Sequence, residues 1–140
     1  MFDLKNENTI KELFKDVQLA QEKSYSPYSK FRVGAVIYTK DGNKIYGANI
    51  ENSSYGLTIC AERTCMFNMH LQGYKAEDCL CLALVGDSST YAYPCGACRQ
   101  VMLELLDMDC PVIIFGKNGD YIISSVRELS PLCFAKENLD

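Results

Sequence analysis

Apolar residues recur at helical spacing in some segments of this chain and form short runs between turn residues in others. Between residues 9 and 23 they recur every three or four positions, which predicts a first helix with a capping box formed by Thr9 and Glu12. A second helix is predicted over about residues 58–73, with Thr58 as its capping residue. A third helix is predicted to contain Pro94 in its first turn, and a short fourth helix to begin at Ser125.

Short apolar runs bounded by turn residues predict five strands. These runs cover residues 31–38, 44–48, 79–86, 111–115 and 121–124. The last two runs are separated by only a few residues, which cannot form a crossover helix, so these strands should be antiparallel. The order of the elements predicts an α/β fold, a three-layer α/β/α sandwich with a mixed sheet of about five strands.

Length and composition narrow the class of protein. The 140 residues predict one domain over residues 1–140, and the apolar fraction of 48% indicates that some surface is buried against partner chains. A net charge of −4 without a long basic run argues against nucleic-acid and membrane partners. The N-terminus is polar, and no apolar run approaches the ~20 residues that span a bilayer. We therefore expect a cytoplasmic protein.

The chain contains eight cysteines, which are expected to be reduced thiols or metal ligands in a cytoplasmic protein. Three of them lie in two short motifs, one around Cys60 and the other containing Cys95 and Cys98. The remaining five are predicted to be small buried apolar residues. These five are Cys65, Cys79, Cys81, Cys110 and Cys133.

Cys60, Cys95 and Cys98 supply three soft ligands, which suit one tetrahedral Zn²⁺ ion with its fourth position open. An open position is typical of catalytic zinc, because it can hold a water molecule and acidify it. Glu62 lies two residues from Cys60 and is predicted to carry protons for that water. Zinc deaminases have this order of motifs, a ligand-x-Glu followed by Pro-Cys-x-x-Cys. Both motifs fall near predicted helix starts, where the helix dipoles stabilise thiolates.

The same cysteines suggest two other kinds of metal site. In a closed zinc site Cys65 would be the fourth ligand, but on a helix it points roughly 140° away from Cys60. An iron–sulfur cluster would need a fourth ligand from the same set. Arg63 has two interpretations, either donating to a ligand sulfur and thereby tuning the zinc site, or forming a surface salt bridge.

The chain resembles the cytidine deaminase family, in particular its small homotetrameric zinc-dependent form. Besides the two zinc motifs, the similarity includes residues 26–31 (Ser-Pro-Tyr-Ser-Lys-Phe), 33–35 (Val-Gly-Ala) and 49–52 (Asn-Ile-Glu-Asn). The resemblance implies one zinc ion per subunit. It also implies hydrolytic deamination of cytidine or deoxycytidine to uridine or deoxyuridine plus ammonia, in pyrimidine salvage.

The same resemblance implies a set of contacts with a nucleoside substrate. Asn49 and Glu51 would bind the ribose, with the Glu51 carboxylate accepting from the 3′-hydroxyl. Phe31 would pack against the pyrimidine ring. The backbone N–H of Ala61 would meet the exocyclic oxygen of that ring.

Three further positions are implied to act between subunits. Ser53 and Tyr55 would lie at a neighbouring subunit's site, and Phe134 would enter another subunit's pocket. The implied homotetramer therefore shares its active sites, and an isolated subunit should be inactive.

Other functions are compatible with the zinc motifs. One alternative is a deaminase of another cytosine compound, such as blasticidin S or a cytidine nucleotide. Another is a zinc-stabilised binding protein without catalysis. The carboxylate of Glu51 at the sugar disfavours a substrate phosphate, because like charges repel, and the sequence has no Gly-rich phosphate loop. A free nucleoside is therefore the expected substrate.

Overall fold

The chain folds around a mixed five-stranded sheet. The structure is a computed structural model and describes residues 1–139. Its helices are α1 (Glu7–Gln21), α2 (Ala61–Leu71), α3 (Gly96–Leu105) and α4 (Val126–Leu129). Its strands are β1 (Val33–Thr39), β2 (Lys44–Ala48), β3 (Cys79–Gly86), β4 (Pro111–Phe115) and β5 (Tyr121–Ser125).

The strand order across the sheet is β2-β1-β3-β4-β5. β1 pairs antiparallel with β2 and β3, β3 pairs parallel with β4, and β4 pairs antiparallel with β5. The predicted mixed sheet and its antiparallel last pair are both confirmed. The predicted domain extends to residue 140, which lies outside the described residues, and its being a single domain stays a prediction.

Helices cover both faces of this sheet. Alternate residues of β1 point to opposite faces, so Val36 packs with Leu13 and Val17 of α1, whereas Ala35 and Ile37 pack on the other side. That other side is covered by α2, α3 and α4. The three-layer α/β/α sandwich predicted from the sequence is confirmed. In residues 1–139, no helix combines the length and apolar character that crossing a membrane requires.

The starts of the first two helices differ from the prediction. α1 begins at Glu7, because the Asn6 side chain caps it by accepting from the Asn8 N–H at 2.9 Å. The capping box at Thr9 is therefore wrong. α2 begins at Ala61 rather than at Thr58, whose hydroxyl instead accepts from the backbone N–H of Asn52.

The predicted boundaries of α3 and β1 also shift by a few residues. α3 begins at Gly96, so Pro94 lies before the helix rather than in its first turn. β1 begins at Val33 and leaves Phe31 in the preceding loop, because the N–H of Arg32 donates to the Asp87 side chain rather than to a strand. The predicted start of the fourth helix at Ser125 is confirmed, since Ser125 is the N-cap residue of α4 and its hydroxyl accepts from the Glu128 N–H at 3.1 Å.

A close contact between β2 and α2 sets the position of the second helix. A Cβ atom added to Gly47 would lie 2.5 Å from the carbonyl oxygen of Ala61 and 2.5 Å from the backbone nitrogen of Cys65. Since no side chain fits between them, the first turn of α2 rests directly on the strand. This contact fixes the end of the helix at which Cys60 and Glu62 lie.

Candidate active site

The thiols of Cys60, Cys95 and Cys98 converge at one point of the molecule. The Sγ atoms of Cys60 and Cys95 are 3.6 Å apart, and those of Cys95 and Cys98 are 3.5 Å apart. All three lie within 4.8 Å of one another and could hold a metal ion. Zn–S bonds of about 2.3 Å in a tetrahedron require sulfur atoms about 3.8 Å apart. The predicted ligand set therefore has the spacing that zinc needs.

These thiols lie at the N-termini of two helices. Cys60 is the N-cap residue of α2, and Cys95 is the N-cap residue of α3. The Sγ of Cys95 accepts from the backbone N–H of Cys98 at 3.5 Å. The positive ends of both helix dipoles consequently face the sulfur atoms and favour thiolates. The prediction that both motifs lie at helix starts is confirmed.

Arg63 adds a positive charge to this group. Its Nη2 atom donates to the Sγ of Cys60 at 3.4 Å, the contact proposed from the sequence. A hydrogen bond from the Cys98 thiol, supported by Arg63, lowers the pKa of Cys60 to about 5. A bound divalent cation deprotonates its thiol ligands further. The surroundings therefore favour the charged, metal-binding form of Cys60.

Glu62 is buried beside the thiols, with 4% of its surface exposed. Burial and, to a smaller extent, the nearby Cys60 raise the pKa of its carboxyl group to about 7, against the lowering effects of a backbone hydrogen bond and of the Arg63 charge. A carboxyl group with a pKa near neutral can both accept and release a proton at physiological pH. This is the property that a proton carrier requires.

The other cysteines lie apart from the three-thiol group. Cys65 is fully buried, and its thiol donates to the carbonyl oxygen of Ile45 at 3.2 Å. The prediction that it points away from the metal ligands is confirmed. The predicted burial is confirmed for four of the five remaining cysteines, whereas Cys133 is only partly buried against the core. The four are Cys65, Cys79, Cys81 and Cys110.

Asn49 holds the loop that carries Phe31. Its side chain is buried, its Nδ2 donates to the carbonyl oxygen of Phe31 at 2.8 Å, and its Oδ1 accepts from the N–H of Val33 at 2.9 Å. The Phe31 ring lies close to Gly86 at the end of β3, since a Cβ on Gly86 would approach the ring to 3.0 Å. Asn49 thus fixes the backbone on either side of Arg32.

Glu51 lines an open cleft with a volume of about 390 Å³. Its Oε1 accepts from the backbone N–H groups of Tyr28 at 2.9 Å and Ser29 at 3.1 Å, and its Oε2 accepts from the Ser29 hydroxyl. The hydrogen bond from the Ser29 hydroxyl lowers the pKa of this carboxyl group most, and the hydrogen bonds from the two backbone N–H groups lower it further. Glu51 is therefore ionised at neutral pH. Tyr55 and Thr58 complete the lining of the cleft.

A short backbone bridge joins the Glu51 segment to the thiol segment. Ile50 and Ile59 exchange two backbone hydrogen bonds of 3.0 Å each. Glu51 and Cys60 are the residues that follow them. The bridge therefore places the Glu51 cleft beside the three-thiol group.

Ala61, buried at the first position of α2, has a backbone N–H that finds no partner within the helix.

The three residues implied to act between subunits are exposed. Ser53 lies at the surface, Tyr55 is 74% exposed and Phe134 is 60% exposed. Within this chain, the Tyr55 ring lies 5.8 Å from that of Tyr28 and lines the cleft beside Glu51. Phe134 is not among the described residues that line the cleft.

Sequence reasoning missed the residue that anchors the Phe31 loop. Asp87 accepts from the backbone N–H of Arg32 at 2.8 Å and pairs with the Arg32 guanidinium at 3.0 Å. It also accepts from the Gln21 amide at 3.2 Å. These partners lie far from Asp87 in the sequence, so no local pattern could have identified the contact.

Three thiol donors beside a buried carboxylate, on helices packed against a mixed sheet, define the class of zinc deaminases. Residues 7–114 match the model of the cytidine and deoxycytidylate deaminase zinc-binding region. The chain belongs to this family.

Known relatives agree with the assignment over most of the chain. A cytidine deaminase from Halalkalibacterium halodurans is 46% identical over 128 residues, which cover 91% of this chain and 96% of the relative. A probable cytidine deaminase from Dictyostelium discoideum is 37% identical, covering 96% of this chain and 89% of the relative. The crystal structure of a cytidine deaminase from Burkholderia pseudomallei superimposes with a TM-score of 0.86 at 42% identity, covering 89% of this chain and 98% of that one.

Proposed function

We propose that this chain is a zinc-dependent hydrolase that converts cytidine, deoxycytidine or both to uridine or deoxyuridine plus ammonia. The observation that carries the proposal is the three-thiol group beside Glu62, a buried carboxyl group whose pKa is near neutral. Relatives 41–46% identical over most of this chain are cytidine deaminases.

Cys60, Cys95 and Cys98 would hold one zinc ion per subunit, with their charge balanced by two helix N-termini and Arg63. Bound zinc would supply the Lewis acidity that makes water a nucleophile at neutral pH. Because Arg63 donates to a ligand sulfur, replacing it with Gln should weaken zinc binding, as competition with a chelator would measure.

Glu62 is the proton carrier of the proposed reaction. It accepts a proton from the attacking water and delivers it to ring nitrogen 3 of cytosine. The water oxygen bonds to ring carbon 4, and Glu62 takes the second proton from this new hydroxyl group and transfers it to the amine. The carbonyl forms as the C–N bond breaks, so that water and substrate yield ammonia and the uracil product with Glu62 unchanged. A carboxyl group with a pKa near 7 suits both directions of transfer.

The substrate would lie between the thiol group and the Glu51 cleft. Phe31 would pack on the pyrimidine, and the N–H of Ala61 would donate to its exocyclic oxygen. Asn49 would bind the ribose through its second amide hydrogen, since Phe31 occupies only one. Glu51 would accept from the 3′-hydroxyl, and its negative charge favours a nucleoside over a nucleotide.

The proposal includes a cytoplasmic homotetramer with shared sites. Ser53, Tyr55 and Phe134 would contact neighbouring subunits, which accounts for large side chains left exposed on a single chain. Light scattering on purified protein would measure the number of subunits.

A direct test measures ammonia release from a panel of cytosine compounds. The panel contains cytidine, deoxycytidine, their monophosphates and blasticidin S. We expect turnover of the nucleosides, its loss after chelation and its return with zinc. The C98A variant should lose both metal and activity, whereas C81A, which removes a buried cysteine outside the metal group, should keep both. Turnover that survives chelation, or turnover of nucleotides alone, would contradict the proposal.

A further inference from the structure

Arg99 makes two hydrogen bonds to backbone carbonyl groups beside the thiol group. It directly follows Cys98 in the first turn of α3. Its Nε donates to the carbonyl oxygen of Pro94 at 2.8 Å, and its Nη1 donates to the carbonyl oxygen of Leu129 at 2.8 Å. A guanidinium group is a planar fork with fixed donor directions, so the two bonds together define the position of both carbonyls.

The first of these carbonyls controls the backbone at Cys95. The Pro94 carbonyl belongs to the peptide group that joins Pro94 to Cys95, so the hydrogen bond from Arg99 orients the peptide leading into a metal ligand. Cys95 is the exposed member of the three-thiol group, and Cys98 is its fully buried member. Packing of the Cys95 side chain therefore contributes little to its position, which depends on its backbone and on the hydrogen bond that its Sγ accepts from the Cys98 N–H.

The second carbonyl attaches that backbone to a packed part of the molecule. Leu129 is the last residue of α4, where carbonyl groups lack partners within the helix. α4 itself is anchored in the core, because Val126 is fully buried and its N–H donates to the carbonyl oxygen of Cys110. Arg99 thus connects the peptide before Cys95 to a fixed element.

The residue after Arg99 extends this connection. Gln100 donates from its Nε2 to the carbonyl oxygen of Phe134 at 2.9 Å. The first turn of α3 consequently holds both the end of α4 and the segment that follows it. Two adjacent side chains of α3 thereby bind three backbone segments, one of which leads into Cys95.

We infer that Arg99 is a positioning residue, which holds Cys95 in place for the metal by fastening the Pro94–Cys95 peptide to the end of α4. The inference rests on the proposed function, in which Cys95 is a zinc ligand. Arg99 differs in this respect from Arg63, which donates to a sulfur atom directly. Arg99 acts on the ligand only through the backbone.

The test replaces Arg99 with Lys and with Gln. Lysine keeps the charge but has a single ammonium group in place of the fork, and glutamine removes the charge. The matched control is R127Q, which removes the same charge from an exposed ion pair with Asp109. Each purified protein is measured for zinc affinity by competition with a chromogenic chelator, and for the absorption spectrum of its cobalt(II) form, which reports the geometry of the thiolate ligands.

We expect both Arg99 variants to bind zinc about 10–100-fold more weakly, the range typical of groups that orient metal ligands. Their cobalt spectra should shift, whereas R127Q should match the wild type in both measurements. If R99Q does not fold, as judged by circular dichroism, R99K decides the question. Wild-type zinc affinity and an unchanged cobalt spectrum in a folded Arg99 variant would overturn the inference. A wild-type protein that binds no zinc would instead overturn the proposed metal site.

Discussion

Two carboxylates of this molecule are buried to the same extent, each with 4% of its surface exposed, but in opposite environments. Asp16 lies on α1, where it accepts from the hydroxyl groups of Tyr38 and Tyr46 and pairs with the Lys44 ammonium group at 3.0 Å. Glu62 lies on α2 beside thiols that themselves favour the charged form at Cys60.

The difference separates a carboxylate with compensating partners from the one that we propose to carry protons. The charge of Asp16 is matched by a cation and two hydroxyl donors, so its burial is compensated. The burial of Glu62 is not compensated to the same degree, and its pKa is therefore raised to about 7. Burial alone does not identify a functional acid in this fold, whereas the partners of the buried group do.

The largest predicted effect comes from replacing Glu62 with Gln. This change keeps the shape of the side chain but removes its ability to carry a proton, so kcat should fall by at least about 10²–10⁴-fold. Zinc content should be unchanged, because Glu62 is not among the thiol ligands. Steady-state kinetics together with metal analysis would measure both quantities.

The control for this prediction is E104Q, which alters an exposed glutamate of α3. It should retain the wild-type kcat. A Glu62→Gln variant that turns over at the wild-type rate would remove Glu62 from the mechanism. It would also remove the distinction between the two buried carboxylates.

A smaller effect, on stability rather than on turnover, is predicted for Asp16→Asn. The variant leaves Lys44 without its buried partner and places an amide where the tyrosine hydroxyls donate. We expect the free energy of unfolding to fall by about 1–3 kcal/mol, less than for a fully buried pair because Lys44 is partly exposed. Urea denaturation would measure the loss.

Asp109→Asn is the matched control, since the Asp109 side chain is paired with Arg127 but is 86% exposed. Its free energy of unfolding should change by much less. The kcat of folded Asp16→Asn should equal that of the wild type. A large loss of kcat without a loss of stability would mean that Asp16, too, takes part in the reaction.

The smallest effect is predicted for a carboxylate nearer the surface, Asp87. The hydrogen bond from Arg32, followed by its charge, lowers the pKa of Asp87 below its ordinary value near 4. A lowered pKa means that the pair stabilises the fold above about pH 4, and that this stabilisation disappears as the pH falls through the lowered pKa.

Because Arg32 is half exposed, Asp87→Asn should cost at most about 1 kcal/mol at pH 7. The difference from the wild type should shrink towards zero between pH 5 and about pH 2, as urea denaturation at several pH values would measure. A difference that stays constant with pH would show that the ion pair contributes nothing to stability.

Local patterns predicted most of the fold and the three cysteines whose thiols converge. The apolar runs and the order of helices and strands along the chain predicted the mixed sheet. This was possible because the pattern of apolar residues reflects only which faces of each element are buried. Helix starts were less accurate. Thr58 has a good capping side chain, but the backbone bridge between Ile50 and Ile59 holds the chain extended until Cys60. That bridge joins residues nine positions apart and has no local signature.

The sequence by itself determined the chemistry of the site, since three thiols and a carboxyl group at this spacing are recognisable without a structure. Only the tertiary structure decided how they are arranged. The close contact at Gly47 seats the start of α2, and Arg99 ties the Cys95 backbone to α4. Burial then gives Glu62 a pKa that its sequence neighbours could not predict. The physical reason is that ligand identity belongs to single residues, whereas distance, burial and backbone hydrogen bonds depend on segments that meet only after folding.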